Sequence, residues 1–431
     1  MKRKKWLGLV MVFLLVFTPL LACSNSETAS GGEGSGDKKI ELEFWTINLK
    51  KNFGDYIQGM VDAYEKENPN VTIKWVDVPG ADASKKFITA MQSKDIPDVV
   101  NLSSSDISLI RRYNVLSPIN DLVKEEELSP YIDGLIEGLT FEDDLLAIPW
   151  YHGGPPVGFL NTELYKQAGL DPESPPENWK ELLENGKKIH EKLPKVYGSN
   201  DIPSMEVLVG QGLPILNKKG TKPVFNSEEH VEFVELFVEA YENGSVAPGA
   251  ISEDDRQLQQ TFENGQQAHV GQKLVSGLVN IEKNAPTILP KLKVFKPITG
   301  EDGTVAIGGI QTFVVPKKSE HPEEAAKFAL FVTNAKNQLE FTKLVSIFPS
   351  TEETLKDPFF KDFEVKTIHD EARKLMVEIA PNLTINILGI NKEEELKKYY
   401  LEQIRAAMLG EKTVKEALDD AAAHWEKELS K

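Results

Sequence analysis

One cysteine, Cys23, occurs in 431 residues, so no internal disulfide holds this chain together. No serine has glycine at both −2 and +2; Ser35, Ser199, Ser245 and Ser276 have glycine neighbours but fail that spacing. The nucleophile elbow of an α/β-hydrolase is therefore missing. Gly186-Lys187 lacks the upstream glycine of a phosphate-binding Walker loop. The histidines (His152, His190, His230, His269, His321, His369 and His424) are scattered, without the His-Glu-x-x-His pair of a zinc site. Asp143-Asp144 and Asp254-Asp255 read as solvated loop charges, and nothing points to the two carboxylates, about 5–10 Å apart, of a glycosidase. These absences predict no catalytic residue, no metal and no cofactor. Cations are short as well: 49 Lys and Arg face 67 Asp and Glu, a net charge of −18. So acidic a chain is no partner for nucleic acid.

The N-terminus carries what the rest lacks. In "MKRKKWLGLVMVFLLVFTPLLAC", Lys2, Arg3, Lys4 and Lys5 precede an apolar core from Trp6 to Phe17. This is the layout of a secretory signal, with a core too short for a typical membrane-spanning helix. Residues 1–22 are expected to be removed, which takes the net charge from −18 to −22. "LLAC" resembles a bacterial lipobox, with Leu21 bulkier than usual, and predicts lipidation at Cys23. Residues 23–37 are rich in Gly, Ser and Glu, cannot bury enough apolar surface to fold, and read as a flexible tether. A lipid, a tether and a body place the protein at the extracytoplasmic face of a cell membrane. The body exceeds what one hydrophobic core usually supports, so two lobes are expected.

The body opens on alternation: Ile40, Leu42 and Phe44 interleave with Glu41 and Glu43, a strand ending near Trp45. Phe53, Ile57, Met60, Val61 and Tyr64 fall on one helical face, and "ENPN" ends that helix before the strand "VTIKWVDV". A helix over residues 83–92 and the strand Asp98–Leu102 complete a strand–helix–strand–helix–strand run, the grammar of an α/β sheet with parallel pairs. Further on, Asn178 and Glu181 suit a capping box. Ser227 suits an N-cap, with Val231, Val234, Val238 and Tyr241 on the inward face of its helix and Gly244 as the stop. Pro322 opens a helix, and residues 393–428 read as helical.

Six blocks in order carry a family likeness: "ENPNVTIKW", "IPDVVNLSSSD", "LLAIPWYHGGPPVGFLNTELYKQAGLDPESPPENWKELL", "FENGQQAHVGQ", "GGIQTFVVPKKSEHPEEAAKFALFV" and "GEKTVKEALDDAAAHWEKEL". The chain resembles the bacterial extracellular solute-binding proteins of family 1, the maltose-binding-protein-like lipoproteins of ABC importers. The resemblance implies a two-lobed, type II periplasmic-binding-protein-like α/β fold with discontinuous lobes joined by a hinge. It implies crossings near 149–156, 299–310 and 348–350. The N-lobe is then 38–150 plus 306–347, and the C-lobe 151–305 plus 348–431. It also implies a monomer that binds a small molecule, a saccharide, and hands it to ABC permease subunits. A non-sugar solute is the alternative, and a surface glycan-processing hydrolase a second one.

Ligands of open α/β sheets sit beyond the carboxyl ends of the strands. Trp45, Thr46 and Asn48 follow the first strand; Ser103, Ser105 and Asp106 follow the third. Aromatic faces and a rim of hydroxyls, amides and carboxylates suit a sugar. Each has a competing role: Trp45 as a cap on the core, and Ser103 to Asp106 as a helix N-cap cluster. At the first crossing stand Trp150, Tyr151 and His152, the last also readable as a backbone anchor. Its His-Gly-Gly run resembles an esterase oxyanion loop, which has no use without a nucleophile. Gln272, Lys273 and Gln311 stand where the family often places aromatics, leaving room for a more polar or acidic sugar. Trp75, Trp179 and Trp425 read as structural.

Overall fold

The computed structural model describes residues 39–430 except 81–82, 94, 253–254 and 346. The signal segment, Cys23 and the tether lie outside the described residues.

The alternating segment Ile40–Ile47 pairs in parallel with Val71–Val78 and with Val99–Ser103. The helix Lys50–Glu67 between the first two strands buries Ile57, Met60, Val61 and Tyr64, as its periodicity requires, while Phe53 sits at a kink with φ of −130°. The helix expected over 83–92 ends earlier, at Ala90. The expected parallel pairs are thus present, and the sheet then becomes mixed. Gln311–Val314 returns from far along the chain to lie antiparallel to both Val99–Ser103 and Ile148–His152, and Phe348–Pro349 pairs antiparallel at the far edge. The result is a six-stranded mixed sheet.

A second sheet has three strands with Val157–Asn161 at its centre, antiparallel to His269–Lys273 and to Leu292–Phe295. A small parallel pair joins Val305–Ile307 to Leu383–Ile385. The segments 153–156 and 308–310 thus run from one large sheet toward the other's neighbourhood, and both carry paired glycines. Gly154, at φ +88°, makes a turn that a side chain would strain.

Three apolar clusters follow from these layers. The first fills both faces of the six-stranded sheet around Leu42, Phe44, Trp150, Phe313 and Phe328; it also takes in Phe348, Leu355, Phe360 and Leu383. The second gathers Trp179, Phe225, Phe237, Tyr400 and Trp425 from the helices Trp179–Lys192, Glu228–Glu242, Glu393–Met408 and Val414–Leu429. The third lies against the three-stranded sheet, from Val157 and Phe159 to Leu278, Ile281 and Ile379.

Local expectations are met with three corrections. Asn178 caps its helix through the Glu181 N–H, but the Glu181 carboxylate accepts from Glu177 rather than closing a box on Asn178. The helix capped by Ser227 buries His230, Phe233, Val234, Phe237 and Ala240; Val231, Val238 and Tyr241 lie half-buried at its margins. Two phenyl rings offer more apolar area than two valines, so they set the inward face. The helical tail is two helices, broken at Gly410 (φ +71°) and restarted by a capping box of Thr413 and Glu416.

Candidate functional site

Strand register puts one end of the six-stranded sheet together: Gln311 stands opposite both Ser103 and Tyr151, and Phe348 opposite His152. Ile47 and Asn48 end the parallel strand beside them. This brings Asn48, Ser103, Tyr151, His152 and Gln311 to one edge, while Gln272 and Lys273 lie in the three-stranded sheet; many of the sequence-predicted residues are already engaged. The Thr46 hydroxyl donates to Asp77 (2.7 Å) and accepts from the Trp75 indole (2.8 Å). Asn48 is exposed, at φ +54°. The Trp45 indole donates to Glu43, lies under Lys86, and lines a separate groove with Lys74 and Lys85. Ser103 and Asp106 form a reciprocal capping box on the helix Ser104–Ile110, and Ser84 donates to Asp106. Gln311 accepts from Asn101. Ser105 is exposed.

At the first crossing, Trp150 is fully buried and packs on Phe313 and Phe341 at ring distances of 4.6 and 5.4 Å. It has no surface with which to meet a ligand. Tyr151 is half-buried, and burial pushes its phenol up to about 12. His152 is 3% exposed, and burial lowers its imidazole to about 4. Its Nδ1 accepts from the Gly154 N–H (3.2 Å). One donor that an oxyanion loop would need is thus occupied by the neighbouring histidine.

The structure draws a different set around a cleft of about 390 Å³ beside the three-stranded sheet and the two crossings, with Pro156, Asn200, Asp201, Ser204, Glu206, Gln272, Lys273, Leu274 and Gly308 on its walls. Of the predicted residues only Gln272 and Lys273 line it. The edge of the six-stranded sheet approaches at Gly309: a Cβ there would stand 3.1 Å from the Ser104 hydroxyl and 3.7 Å from that of Ser105. A Cβ on Gly308 would meet nothing within 4 Å, so this position faces open space.

Asp201 is held beside the strand His269–Lys273 by the Ser199 hydroxyl and the Gly271 N–H (2.8 Å). Burial raises its carboxyl to about 6, against the opposing pull of those hydrogen bonds and of Lys273. Gln272 donates to the Ile298 carbonyl (2.6 Å), and Asn200 accepts from Gln267 (2.9 Å). Glu206 accepts from Asn386 (3.2 Å), whose own N–H donates to the Ile307 carbonyl at the second crossing. Two carboxylates, an ammonium, two amides and a hydroxyl thus surround one space, a set that can both donate to and accept from a polyhydroxylated molecule. Among the described residues no group of three or more His, Cys, Asp or Glu could hold a metal. Asn200, Asp201, Ser204 and Glu206 escaped the sequence reading. The signal for Asn200, Asp201 and Ser204 was a polar run, "SNDIPS", breaking the helical pattern between two capped helices, with Glu206 in the first turn of the second.

A six-stranded and a three-stranded sheet, joined by glycine-bearing crossings beside a polar cleft, define a two-lobed α/β protein of the type II periplasmic-binding class, its discontinuous lobes joined by a hinge. The chain belongs to the bacterial extracellular solute-binding protein family, whose profile matches residues 50–339. It is similar to the sn-glycerol-3-phosphate-binding periplasmic protein of Escherichia coli (strain K12), with 23% identity over 416 residues, covering 90% of this chain and 92% of that one. The cyclic alpha-maltosyl-1,6-maltose binding protein from Arthrobacter globiformis superposes with a TM-score of 0.74 at 21% identity, covering 90% of this chain and 99% of that one. The GacH receptor of Streptomyces glaucescens, solved unliganded and with acarbose, gives 0.62 at 20% identity, covering 91% and 99%. Among the described residues no helix is long and apolar enough to cross a membrane.

Proposed function

We propose that this protein is the substrate-binding lipoprotein of an ABC importer and captures a saccharide in the cleft around Asp201, Glu206 and Lys273. The observation that carries the reading is the mixed donor and acceptor set on the cleft walls. Sugar hydroxyls need both, and desolvated polar groups without partners would be costly. Ligand docks on one lobe and the other rotates onto it, so contacts from both must favour the closed state. The first lobe comprises 38–150 and 306–347, extended by 348–361 and 380–385 because Phe348, Leu355, Phe360, Ala380 and Leu383 pack in its core. The remainder forms the second lobe, and the protein works as a monomer.

The test is thermal unfolding against neutral and acidic mono- and oligosaccharides. Ligand at 100 times Kd should stabilise the fold by about 2.7 kcal/mol. Gly308→Leu, which fills the open space without a backbone clash, should abolish the shift. No shift with any saccharide would overturn the sugar assignment. A shift with glycerol 3-phosphate alone would favour a phosphorylated polyol, the reading that Lys273 and the Escherichia coli relative suggest.

Lipidation at Cys23 holds the body near its permease and raises the local concentration. Cys23→Ser is expected to move the protein from the membrane fraction into the medium; retention in the membrane fraction would remove the anchor from the reading.

A further inference from the structure

A second compartment, of about 430 Å³, opens beside the polar cleft. The two share their walls in sequence. Pro156 and Leu274 face the polar cleft, whereas Gly154 and Val275 face the second compartment. It differs in having an aromatic wall. Phe348, Phe359, Phe360 and Met376 supply its apolar surface, with the Phe359 and Phe360 rings edge to face at 5.0 Å. Three of its polar side chains are already committed, while Ser276 and Asn280 stand exposed at its rim. Arg373 donates to Asp370 (2.7 Å) with its guanidinium over the Phe359 and Phe363 rings. The His369 imidazole meets Glu282 (3.1 Å), and the Thr342 hydroxyl donates to the Leu339 carbonyl (2.8 Å). Against the wall of Phe348, Phe359, Phe360 and Met376, sugar hydroxyls would lose water and find few partners, whereas a flat apolar ring would gain from burial; the Ser276 and Asn280 side chains at the rim can meet a polar linkage. Gly153 is what keeps the space free: a Cβ there would meet nothing within 4 Å.

We propose that this compartment receives an aromatic group carried by the solute, so that the protein takes aryl glycosides, with the sugar in the polar cleft and the aryl ring among the phenylalanines. The inference rests on the saccharide reading above and narrows its substrate class.

The experiment pairs phenyl and methyl glycosides of the same sugars, both anomers, by titration calorimetry, with 4-fluorophenol as a probe of the compartment alone by fluorine NMR. Burying a phenyl ring in an apolar pocket predicts at least about a tenfold preference for each bound phenyl glycoside over its methyl partner. Fluorophenol should bind saturably. Gly153→Leu should erase both effects. Val279→Trp fills the compartment from its rim, where Val279 is 50% exposed and its replacement leaves the core untouched, and should do the same. Methyl glycosides binding as tightly as phenyl ones, no saturable fluorophenol signal, or a preference surviving both variants overturns this inference and leaves the saccharide reading standing. Failure of every glycoside to bind would remove both.

Discussion

Trp150→Ala is expected to lower the stability of the folded protein by about 3–5 kcal/mol, read as a fall in the urea midpoint, the range for deleting a large buried aromatic side chain. The indole is fully buried, and it lies nearly parallel to Phe341 (18° between planes) with Phe313 and Tyr151 on other sides. Truncation leaves a cavity among three rings in the strand that feeds the first crossing. The indole N–H has no hydrogen-bond partner, which already costs the native state part of the desolvation penalty. Trp150→Phe removes that orphan donor while keeping most of the ring contact, so its loss should stay below about 1.5 kcal/mol. Both variants should bind ligand within about twofold of the wild type once folded. A large affinity loss with little loss of stability would show that Trp150 meets the ligand instead of holding the sheet.

Trp150 also shows how far the sequence could be read. The alternation of Ile40 to Phe44, the helical spacing from Ile57 to Tyr64, the caps at Asn178 and Ser227 and the first-turn proline Pro322 were legible because each is a local rule with a local cause. Six ordered blocks carried the two-lobed class. The sheet's mixed character was not legible: Gln311–Val314 pairs with a strand more than two hundred residues earlier, and no local pattern encodes its direction. The rule that ligands lie beyond strand ends pointed mostly to side chains that the fold already engages, and to none on the wall of the cleft around Asp201. Thr46, Ser103 and Asp106 serve their neighbours' backbone and side chains. Trp150 is fully buried among aromatic neighbours. An aromatic residue next to a crossing looks the same in sequence whether it faces the cleft or the core. Asp201 was missed for the opposite reason, since a lone carboxylate in a polar loop resembles any solvated acid until the strand beside it is in place.

Asp201→Asn should weaken ligand binding by about ten- to a hundredfold, the range for losing a hydrogen bond to a charged group, while making the empty protein no less stable at pH 7.5. The two effects share one cause. Burial raises the Asp201 carboxyl from 3.8 to about 6 in the folded protein. The folded state therefore holds that proton more tightly than the unfolded chain does. Its stabilising contribution is fully present below about pH 4 and is lost as pH rises through about 6. At pH 7.5 the ionised group costs the native state about 2–3 kcal/mol relative to acid conditions. Asparagine accepts from Ser199 and Gly271 through its own oxygen and carries no charge, so it escapes that loss. The stability difference, variant minus wild type, should grow by about 2–3 kcal/mol between pH 4 and pH 7.5 in urea titrations. The histidines His152 and His269, whose buried rings resist protonation, destabilise both proteins alike on acidification and cancel in that difference. A difference independent of pH would mean that the carboxylate is not strained by burial. An unchanged affinity would take Asp201 out of the site. A carboxylate that weakens the empty fold yet is kept beside Lys273 makes sense where a ligand's hydroxyls repay it on binding, as in sites that give up stability for function.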